Sequence, residues 1–456
     1  MRSWVEKELG NADLGDVRLN KRLMAIVENL SARPGASIPE ASGDWASTKA
    51  TYNFWDSDRI DAEDIRIPHL QESFHRARDH KIVLAIQDTT DLDFTNHPKT
   101  KGLGPTSSQL YTQGLKVHSV LGATTTGVPL GLFHQQVWVR ERKEFGKPKD
   151  RKRSISEKES QRWLISMTAT ESGIDEQTKV ITVADREADI YELFVQERQR
   201  NSELLIRAAQ NRKLKQEAGY LFDVMASTVS AGYLQVEITS SVKRPTRKVN
   251  LSLCFNSLTL QPPKHHPQRR ELTDVKLNVI RALEKNPPEG VPPIDWLLLT
   301  TVTVTSLLEA MKCVEWYSRR WLIERYHYVL KSGCNLEKLQ LKTAARLEKA
   351  LATYSIVAWR LLWLTYEARV NPDVPCDTVL RVDEWQVLYC SINGTATPPE
   401  KPPSLSVAVQ WIAQLGGFLA RASDTPGVKV IWQGLRRLSD MVATWQLATM
   451  THSSFI

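Results

Sequence analysis

Hydrophobic residues near the start of the chain recur with the period of an α-helix. They lie three or four residues apart, at Leu19, Leu23, Ile26 and Leu30. Asp16 stands just before them, where its side chain can cap the first turn, and basic residues occupy the opposite side. The pattern predicts a small helical domain with a basic face over the first seventy residues. A solvated charged face over an ordinary core explains the basic residues equally well.

Further along, apolar residues form short uninterrupted runs that are typical of buried β-strands. Residues 82–86 are one run, followed by Gln87-Asp88-Thr89-Thr90, and residues 180–184 are another, followed by Asp185. Between them we predict a hairpin and then a helix, at residues 117–121, 128–139 and 157–169. Strands that end in aspartates and are joined through a helix predict a mixed α/β layer with its chemistry at one edge of the sheet.

The pattern changes again in the second half of the chain. Between residues 204 and 304 apolar positions alternate with polar ones, which predicts antiparallel β-strands inserted into the layer. Ser306 and Glu309 then form a capping-box signature, and helical spacing runs with one break to Lys331. Residues 393–403 are rich in proline and glycine and predict a linker, and a helical tail follows it.

Composition restricts the class of protein. Of the 456 residues, 41% are hydrophobic and 25% charged, which excludes wholesale disorder and small disulfide scaffolds. The net charge of +8 favours an anionic partner, nucleic acid before a membrane surface. The five cysteines form no C-x-x-C pair, so the sequence suggests neither a disulfide framework nor a structural zinc site.

Membrane insertion is not expected. No apolar run follows the charged residues at the start of the chain. The most membrane-like stretch, residues 350–366, is short and carries Arg360 at its middle. We therefore expect a cytoplasmic protein without a membrane partner.

Two aspartates are candidates for chemistry. Asp88 and Asp185 each follow an apolar strand, where a carboxylate is costly to bury unless it is paired or holds a cation. Taken singly, a strand-end aspartate more often caps the following turn. The presence of two such sites in one chain favours a functional role for both aspartates.

A third acid lies in the predicted helix near residue 320. Tyr317, Arg320, Glu324 and Lys331 are spaced by 3, 4 and 7 residues, which places them within an arc of roughly 60° on one side of a helix. Such a mixture of phenol, guanidinium, carboxylate and ammonium is not typical of a core. A solvated salt-bridge face explains the spacing about as well as a functional site does.

These strings together resemble the three catalytic signatures of the DDE transposases of the insertion-sequence-4 family. The signatures are Gln87-Asp88-Thr89-Thr90, the string from Ala184 to Asp189 (Ala-Asp-Arg-Glu-Ala-Asp), and the tyrosine, arginine, glutamate and lysine of the third helix. Further similar strings lie at residues 14–18, 117–121, 157–160, 296–300 and 415–418. The resemblance therefore covers nearly the whole chain, and its motifs occur in the family's order.

The resemblance implies an α/β fold with an RNase H-like catalytic core, an antiparallel β insertion and flanking helical domains. By this similarity, residues 1–70 are an N-terminal helical DNA-binding domain and residues 71–370 are the catalytic domain, with the insertion at about 204–304. Residues 371–456 are a C-terminal helical dimerisation region.

The resemblance also implies an activity, a cofactor and partners. Family members cut a transposon from DNA through a hairpin intermediate and join its 3′-hydroxyl ends to target DNA. Asp88, Asp185 and Glu324 would hold two Mg²⁺ ions, with Mn²⁺ as a substitute, because such hard cations prefer oxygen ligands. The expected partners are double-stranded transposon ends, target DNA and a second copy of the chain in a synaptic complex, associated with a bacterial nucleoid.

The same similarity gives roles to residues around the acids. Tyr317 and Arg320 would hold a phosphate near the cleaved end, and Lys331 would contact the strand further along. Trp296 matches a tryptophan on which an extruded base stacks. Without the resemblance, ordinary core packing is the more common role for a tryptophan that opens an apolar strand.

Several basic residues are candidate DNA contacts. Arg207 and Arg212 follow the strand that opens the β insertion, where family members contact the transposon end. Arg247 belongs to a basic cluster with Lys243, Arg244 and Lys248, and residues 140–153 form another such cluster. A basic residue on a surface is more often merely solvated than bound to phosphate.

Two other functions are compatible with these patterns. A structure-selective, metal-dependent nuclease would need the three acids but would not join DNA strands. A non-catalytic DNA-binding regulator would bind DNA without cutting it, although the presence of all three acids argues against this. The sequence departs from the family in two ways: it begins a few residues later, although Trp4 still aligns, and some DNA-contacting positions are replaced, for example by Asn53. The recognised end sequence is therefore not predicted.

Overall fold

The computed structural model describes residues 3–107, 111–141, 153–215, 219–238, 247–421 and 425–453. Its α-helices are α1 (Trp4–Leu9), α2 (Val17–Ala32), α3 (Ile38–Ser42), α4 (Trp45–Asp56), α5 (Ala62–Ala77), α6 (Gln161–Gly173), α7 (Tyr191–Val195), α8 (Leu221–Ser227), α9 (Leu307–Ser318), α10 (Trp321–Tyr328), α11 (Ala344–Val370), α12 (Val382–Asn393), α13 (Leu405–Leu415) and α14 (Val428–Ser453). Its strands are β1 (Ile82–Asp93), β2 (Gly104–Pro105), β3 (Gln113–Thr124), β4 (Pro129–Trp138), β5 (Lys179–Ala184), β6 (Ser202–Arg207), β7 (Gly232–Ile238), β8 (Arg247–Leu260), β9 (Val275–Glu284) and β10 (Asp295–Thr300).

The predicted N-terminal helix is confirmed as α2. The Asp16 carboxylate accepts a hydrogen bond from the backbone N–H of Arg18, and Leu23, Ile26 and Leu30 are buried. Helix α5 crosses the domain boundary predicted at residue 70, because its sixteen residues extend from the N-terminal helices to the sheet.

The N-terminal helices share one continuous core with the sheet and α11. Buried residues from these elements pack together, among them Leu23, Trp55, Leu84 and Leu351. The indole N–H of Trp55 also donates to the Thr353 hydroxyl of α11, at 3.2 Å. The position of the N-terminal helices relative to the sheet is therefore fixed by burial as well as by chain connection.

All ten described strands belong to one sheet, in the order β2-β3-β1-β5-β6-β10-β9-β8-β7, with β4 beside β3. Strands β1, β5 and β6 are parallel to one another, whereas β3 is antiparallel to β1. The centre of the sheet is buried on both faces, as the uninterrupted apolar runs of β1 and β5 predict. The fold is therefore mixed α/β, with its parallel strands in the middle.

The alternating segment forms antiparallel strands on one side of this centre. Strand β7 pairs with β8, β8 with β9, and β9 with β10, which then pairs with the parallel strand β6. Because β10 runs opposite to β6, its first residues lie beside the carboxyl end of β6. This topology brings Trp296 of β10 to the edge of the sheet where β5 and β6 end.

The third signature is not one straight helix, which corrects the prediction of four side chains on one helical face. Helix α9 ends at Ser318, α10 begins at Trp321, and a π-helical turn follows at Val329–Gly333. A π turn contains an extra residue, so it rotates all later side chains relative to a regular α-helix. The predicted break is present, and the predicted capping box of Ser306 and Glu309 is confirmed.

The C-terminal helices α12, α13 and α14 pack into a separate apolar core with the end of α11. Arg33, which directly follows α2, reaches this part of the chain through an ion pair with Asp440 of α14, at 2.7 Å. In the described ranges we find no helix that is both long enough and apolar enough to cross a membrane.

Candidate active site

Parallel pairing places the two aspartates side by side. The last recorded pair of the β1–β5 ladder is Ile86 opposite Val183, so Asp88 and Asp185 each lie two residues beyond it in the same direction. Asp185 leaves the strand at once, because its side chain accepts from the backbone N–H of Glu187 at 2.9 Å and caps a 3₁₀ turn. The capping role expected of a single strand-end aspartate and the functional role are therefore both compatible with this position.

Asp88 lies in a position that disfavours its negative charge. Burial raises the pKa of its carboxyl to about 7; Arg320 acts in the opposite direction, and the negative charges of Asp185 and Glu324 raise the pKa further. His327 Nδ1 of α10 lies 3.8 Å from its Oδ2, but burial lowers the pKa of His327 to about 3, so this imidazole is neutral at physiological pH. Asp88 thus needs a nearby cation to be ionised at low cost.

Glu324 comes from α10, which packs against β1, and its carboxylate is paired with the Arg320 guanidinium one turn earlier. The Glu324 side chain is 53% exposed, so water and solutes can reach it. Tyr317 is 3% exposed. Burial is the main influence on its hydroxyl and raises its pKa, while the positive charge of Arg320 beside it acts in the opposite direction. The three signatures therefore meet at one edge of the sheet.

The donor set fits a hard divalent cation by its chemistry. Three carboxylates of different elements lie near enough for the charges of Asp185 and Glu324 to raise the pKa of Asp88, and the burial of Asp88 leaves a requirement for positive charge. Within the described residues, however, no three His, Cys, Asp or Glu side chains are gathered closely enough to be a ready-made metal site. In this structure the third carboxylate, Glu324, is paired with the Arg320 guanidinium.

Replacing Asp88 by Asn should stabilise the fold when no divalent ion is added. The pKa of about 7 lies above the ordinary value of 3.8, so the folded protein holds a proton that the unfolded chain releases between these pH values. The free energy of unfolding consequently falls as pH rises through this window and stays lowest above it. Asn carries no such charge, so it should raise the free energy of unfolding by about 2 kcal/mol at pH 8. One pKa unit is worth about 1.4 kcal/mol, and water that reaches part of the side chain reduces the full effect.

Urea unfolding with EDTA at pH 8 and pH 4 measures this difference. We expect Asp88→Asn to exceed the wild type at pH 8 and to match it near pH 4. Asp58→Asn, at an exposed position, serves as the control and should have little effect at either pH. A variant that is less stable than the wild type at pH 8 would contradict the assignment of Asp88 as a buried, destabilising carboxylate.

The predicted base-stacking residue lies next to the signature tyrosine. The rings of Trp296 and Tyr317 meet edge to face, with centroids 5.2 Å apart, and Trp296 is only partly buried. Arg207 lies close enough to Tyr317 for its charge to act on the phenol, and it donates from Nη2 to the Asp295 carbonyl at 2.8 Å. Trp296, Tyr317 and Arg207 therefore form one group beside the acids.

Arg212 lies elsewhere, and its environment argues against a DNA contact. Its side chain is 6% exposed and forms an ion pair with Asp189, whose side chain is fully buried. Arg212 Nη2 also donates to the Asp189 carbonyl at 2.9 Å. Because these contacts use its guanidinium inside the protein, the geometry gives Arg212 a structural role, and it corrects the expectation that Arg212 faces DNA.

Two other predicted basic contacts have protein partners. Arg247 pairs with Glu284 across β8 and β9. Lys331 lies in the π turn, with its Nζ 3.8 Å from Glu337 Oε1, and it does not join the Arg320–Glu324 pair. Lys243 and Arg244 lie outside the described residues, and so does most of the basic segment 140–153.

Sequence reasoning missed three residues at this edge. His327 was not singled out, although it follows Glu324 by three residues and so faces the same strand. His118 on β3 bonds Thr89, beside Asp88, and Arg162 on α6 bonds Thr89 and Glu187, which lies two residues after Asp185. His118 lies in the family-like string at residues 117–121, and Arg162 follows the one at 157–160, which is a signal that these segments approach the acids.

Comparison with known proteins finds transposase families along the chain. Family models match three consecutive parts of the chain: "Transposase DNA-binding" at residues 1–60, "Transposase DDE domain" at residues 60–360 and "Transposase Tn5 dimerisation domain" at residues 356–453. Among solved structures, the cryo-EM structure of a piggyBac transposase synaptic complex with hairpin DNA is similar at 10% identity and a TM-score of 0.37. The match covers 81% of this chain and 72% of that one.

The matched DDE domain contains Asp88, Asp185 and Glu324 and implies dependence on a divalent metal ion. The flanking matches give the chain a DNA-binding region and a region for dimer formation. With one family covering about two thirds of its length and the other two covering its ends, this chain belongs to the DDE transposases of the insertion-sequence-4 and Tn5 type.

Proposed function

We propose that this enzyme is a cut-and-paste transposase that binds the repeats at the ends of its own element, cleaves them and joins the freed 3′-hydroxyls to target DNA. The observation that carries the proposal is the meeting of Asp88, Asp185 and Glu324 at one sheet edge inside the matched DDE domain. The core around them would be RNase H-like, with β7 to β9 as its insertion.

Asp88, Asp185 and Glu324 are proposed to hold two Mg²⁺ ions, for which Mn²⁺ can substitute. When bound, such ions supply activation of the attacking oxygen and stabilisation of the leaving oxygen in phosphoryl transfer. Glu324 would first have to leave Arg320, with which it is paired. The released guanidinium then becomes available to a DNA phosphate, for which its bidentate geometry is well suited.

Neighbouring residues would position the DNA strand. Tyr317 and Arg320 are proposed to bind a phosphate near the cleaved end, and Lys331 a phosphate further along. The partly exposed Trp296 beside Tyr317 offers an aromatic face on which an extruded base can stack during hairpin formation. Arg207, whose charge acts on Tyr317, is proposed to orient that phenol and so to act on the same strand.

The flanking parts complete the proposal. Residues 1–70 are proposed to bind the transposon end, residues 71–370 to catalyse, and residues 371–456 to pair two copies in a synaptic complex. The family matches at both ends of the chain support this division. We place the protein with bacterial DNA in the cytoplasm, since its proposed substrates are there.

A strand-transfer assay tests this function against its alternatives. The purified protein is incubated with Mg²⁺, DNA carrying the inverted repeats that border its coding region, and a supercoiled target plasmid. We expect cleaved ends and products in which those ends are joined to the plasmid. Cleavage without joined products would favour the structure-selective nuclease, and end binding without any cleavage would favour the DNA-binding regulator.

A further inference from the structure

Arg162, the second residue of α6, lies between the two strand ends that carry the aspartates. Its Nε donates to the Thr89 hydroxyl at 2.8 Å, and its Nη2 donates to the Glu187 carboxylate at 2.8 Å. Thr89 directly follows Asp88, and Glu187 is two residues after Asp185. One guanidinium therefore links the segment of β1 that holds Asp88 to the turn that holds Asp185.

Both linked residues are also bonded to the aspartates themselves. The backbone N–H of Thr89 donates to Asp88 Oδ1 at 2.9 Å, and the backbone N–H of Glu187 donates to Asp185 Oδ1 at 2.9 Å. A displacement of Thr89 or Glu187 would therefore move the corresponding carboxylate. Arg162 bonds Thr89, which directly follows Asp88, and Glu187, which lies two residues after Asp185.

The link lies where the sheet no longer fixes the strands. The recorded β1–β5 ladder ends with Ile86 and Val183, and Asp185 has already turned away from the strand. Beyond this point backbone pairing does not set the distance between the two segments. At that position the Arg162 side chain connects the two segments. A guanidinium can bond both partners at once because its N–H donors form a rigid fork.

A directed chain of hydrogen bonds extends from Arg162 into the sheet. Because a guanidinium can only donate, the Thr89 hydroxyl accepts from Arg162 and can donate its own hydrogen to His118 Nδ1, at 2.9 Å. His118 Nε2 then donates to Gln87 Oε1, at 3.2 Å. Burial lowers the pKa of His118 well below its usual value, which keeps the imidazole neutral, as this chain requires. Gln87 and Thr89, the residues on both sides of Asp88, are thus held together.

The environment of Arg162 does not suit a direct DNA contact. Its side chain is 12% exposed, and its third nitrogen, Nη1, donates to the Glu159 carbonyl at 2.9 Å. The guanidinium carbon also lies 5.2 Å from the ring centroid of Trp163 and 5.9 Å from that of Trp138. Each of its three nitrogens therefore has a protein acceptor, and aromatic rings cover part of its surface.

We propose that Arg162 is a positioning residue of this transposase, which sets the separation of Asp88 and Asp185 by linking Thr89 to Glu187. The inference rests on the proposed function, in which both aspartates bind metal ions. Residues that orient metal ligands in this way typically contribute 10- to 100-fold to metal affinity or activity. The link does not contact substrate, so it should act on metal binding and cleavage and leave DNA affinity unchanged.

Three variants test the proposal: Arg162→Gln, Arg162→Lys and Thr89→Val. We expect each to lower end cleavage about 10- to 100-fold and to raise by a similar factor the Mn²⁺ concentration that half-saturates the protein–DNA complex, measured by electron paramagnetic resonance. Lys supplies one point charge and cannot bond both partners, so it should not restore the function. The Arg162→Gln/Thr89→Val double variant should be no worse than either single one, because both break the same link.

End-DNA affinity and its salt dependence, measured by fluorescence anisotropy, separate positioning from a phosphate contact. Positioning predicts a wild-type salt slope in every variant. A salt slope reduced by about one in Arg162→Gln, together with wild-type cleavage by Arg162→Lys and Thr89→Val, would mean that Arg162 binds a phosphate and would overturn the proposal. Wild-type cleavage and Mn²⁺ binding in all three variants would overturn it as well.

Two controls keep these outcomes interpretable. Arg198→Gln removes another partly buried arginine, which donates to carbonyls at the end of α7, and this variant should cleave like the wild type. If Arg162→Gln does not fold, the nearly isosteric Thr89→Val carries the test alone. Asp185→Asn is assayed in parallel. Wild-type cleavage by Asp185→Asn would refute the proposed function itself. An inactive Asp185→Asn together with a fully active Arg162→Gln would refute only the positioning role.

Discussion

Asp185→Asn should lower cleavage of the transposon end by about a thousandfold or more, with little change in end binding. The substitution keeps the size of the side chain and one oxygen, which can still accept from the backbone N–H of Glu187. It removes the negative charge that a divalent ion needs, and ions of this kind contribute several kcal/mol to phosphoryl transfer. A loss of about 4 kcal/mol corresponds to a factor of about a thousand in rate.

Glu324→Gln should have a similar effect, because the proposed site uses the two acids together. The matched control is Glu176→Gln, which removes an exposed carboxylate just before the opposite end of β5. Single-turnover cleavage of end DNA and fluorescence anisotropy measure the two quantities. Cleavage by Asp185→Asn within a few-fold of the wild type would refute the metal assignment, and a parallel loss of DNA binding would indicate that the substitution acts on folding.

Asp189→Ala should cost about 3–5 kcal/mol of unfolding free energy, because it leaves Arg212 as a buried charge without its partner. Asp189 also accepts from the backbone N–H groups of Ala209 and Gln210, at 2.7 and 2.8 Å, which would lose their acceptor. This aspartate therefore ties the segment after β6 to the turn that begins at Asp185. Urea unfolding measures the loss.

Arg212→Ala tests the same ion pair from the other side and separates a structural role from a DNA contact. We expect a loss of stability of similar size, whereas Arg269→Ala, at an exposed position, should be near neutral. A folded Arg212→Ala variant with wild-type stability and weaker, less salt-dependent DNA binding would contradict the structural role.

The positions of the two aspartates could be predicted because they depend on the apolar residues that directly precede them in the sequence. The uninterrupted apolar runs before Asp88 and Asp185 specify buried parallel strands, and parallel strands end at a common edge. The hydroxyl cap of Ser306 and the carboxyl cap of Asp16 were predictable for the same reason, since a cap depends only on residues within one turn.

What the sequence did not reveal depends on contacts between distant segments. The pair of Arg212 with Asp189 joins residues 23 apart, and the link from Arg162 to Thr89 joins residues 73 apart. An arginine has the same appearance in a sequence whether it faces DNA or a buried carboxylate, so only the fold distinguishes these roles. The π turn after α10 was likewise beyond a regular 3.6-residue period, which assumes a continuous helix.

The most direct test of metal binding by the three acids is anomalous X-ray diffraction from crystals of the protein–end DNA complex soaked in Mn²⁺. We expect anomalous density for Mn²⁺ between Asp88, Asp185 and Glu324, with Glu324 released from Arg320. Density that persists unchanged in Asp185→Asn crystals, or Mn²⁺ bound only at other carboxylates, would contradict the assignment of these three residues as the catalytic metal ligands.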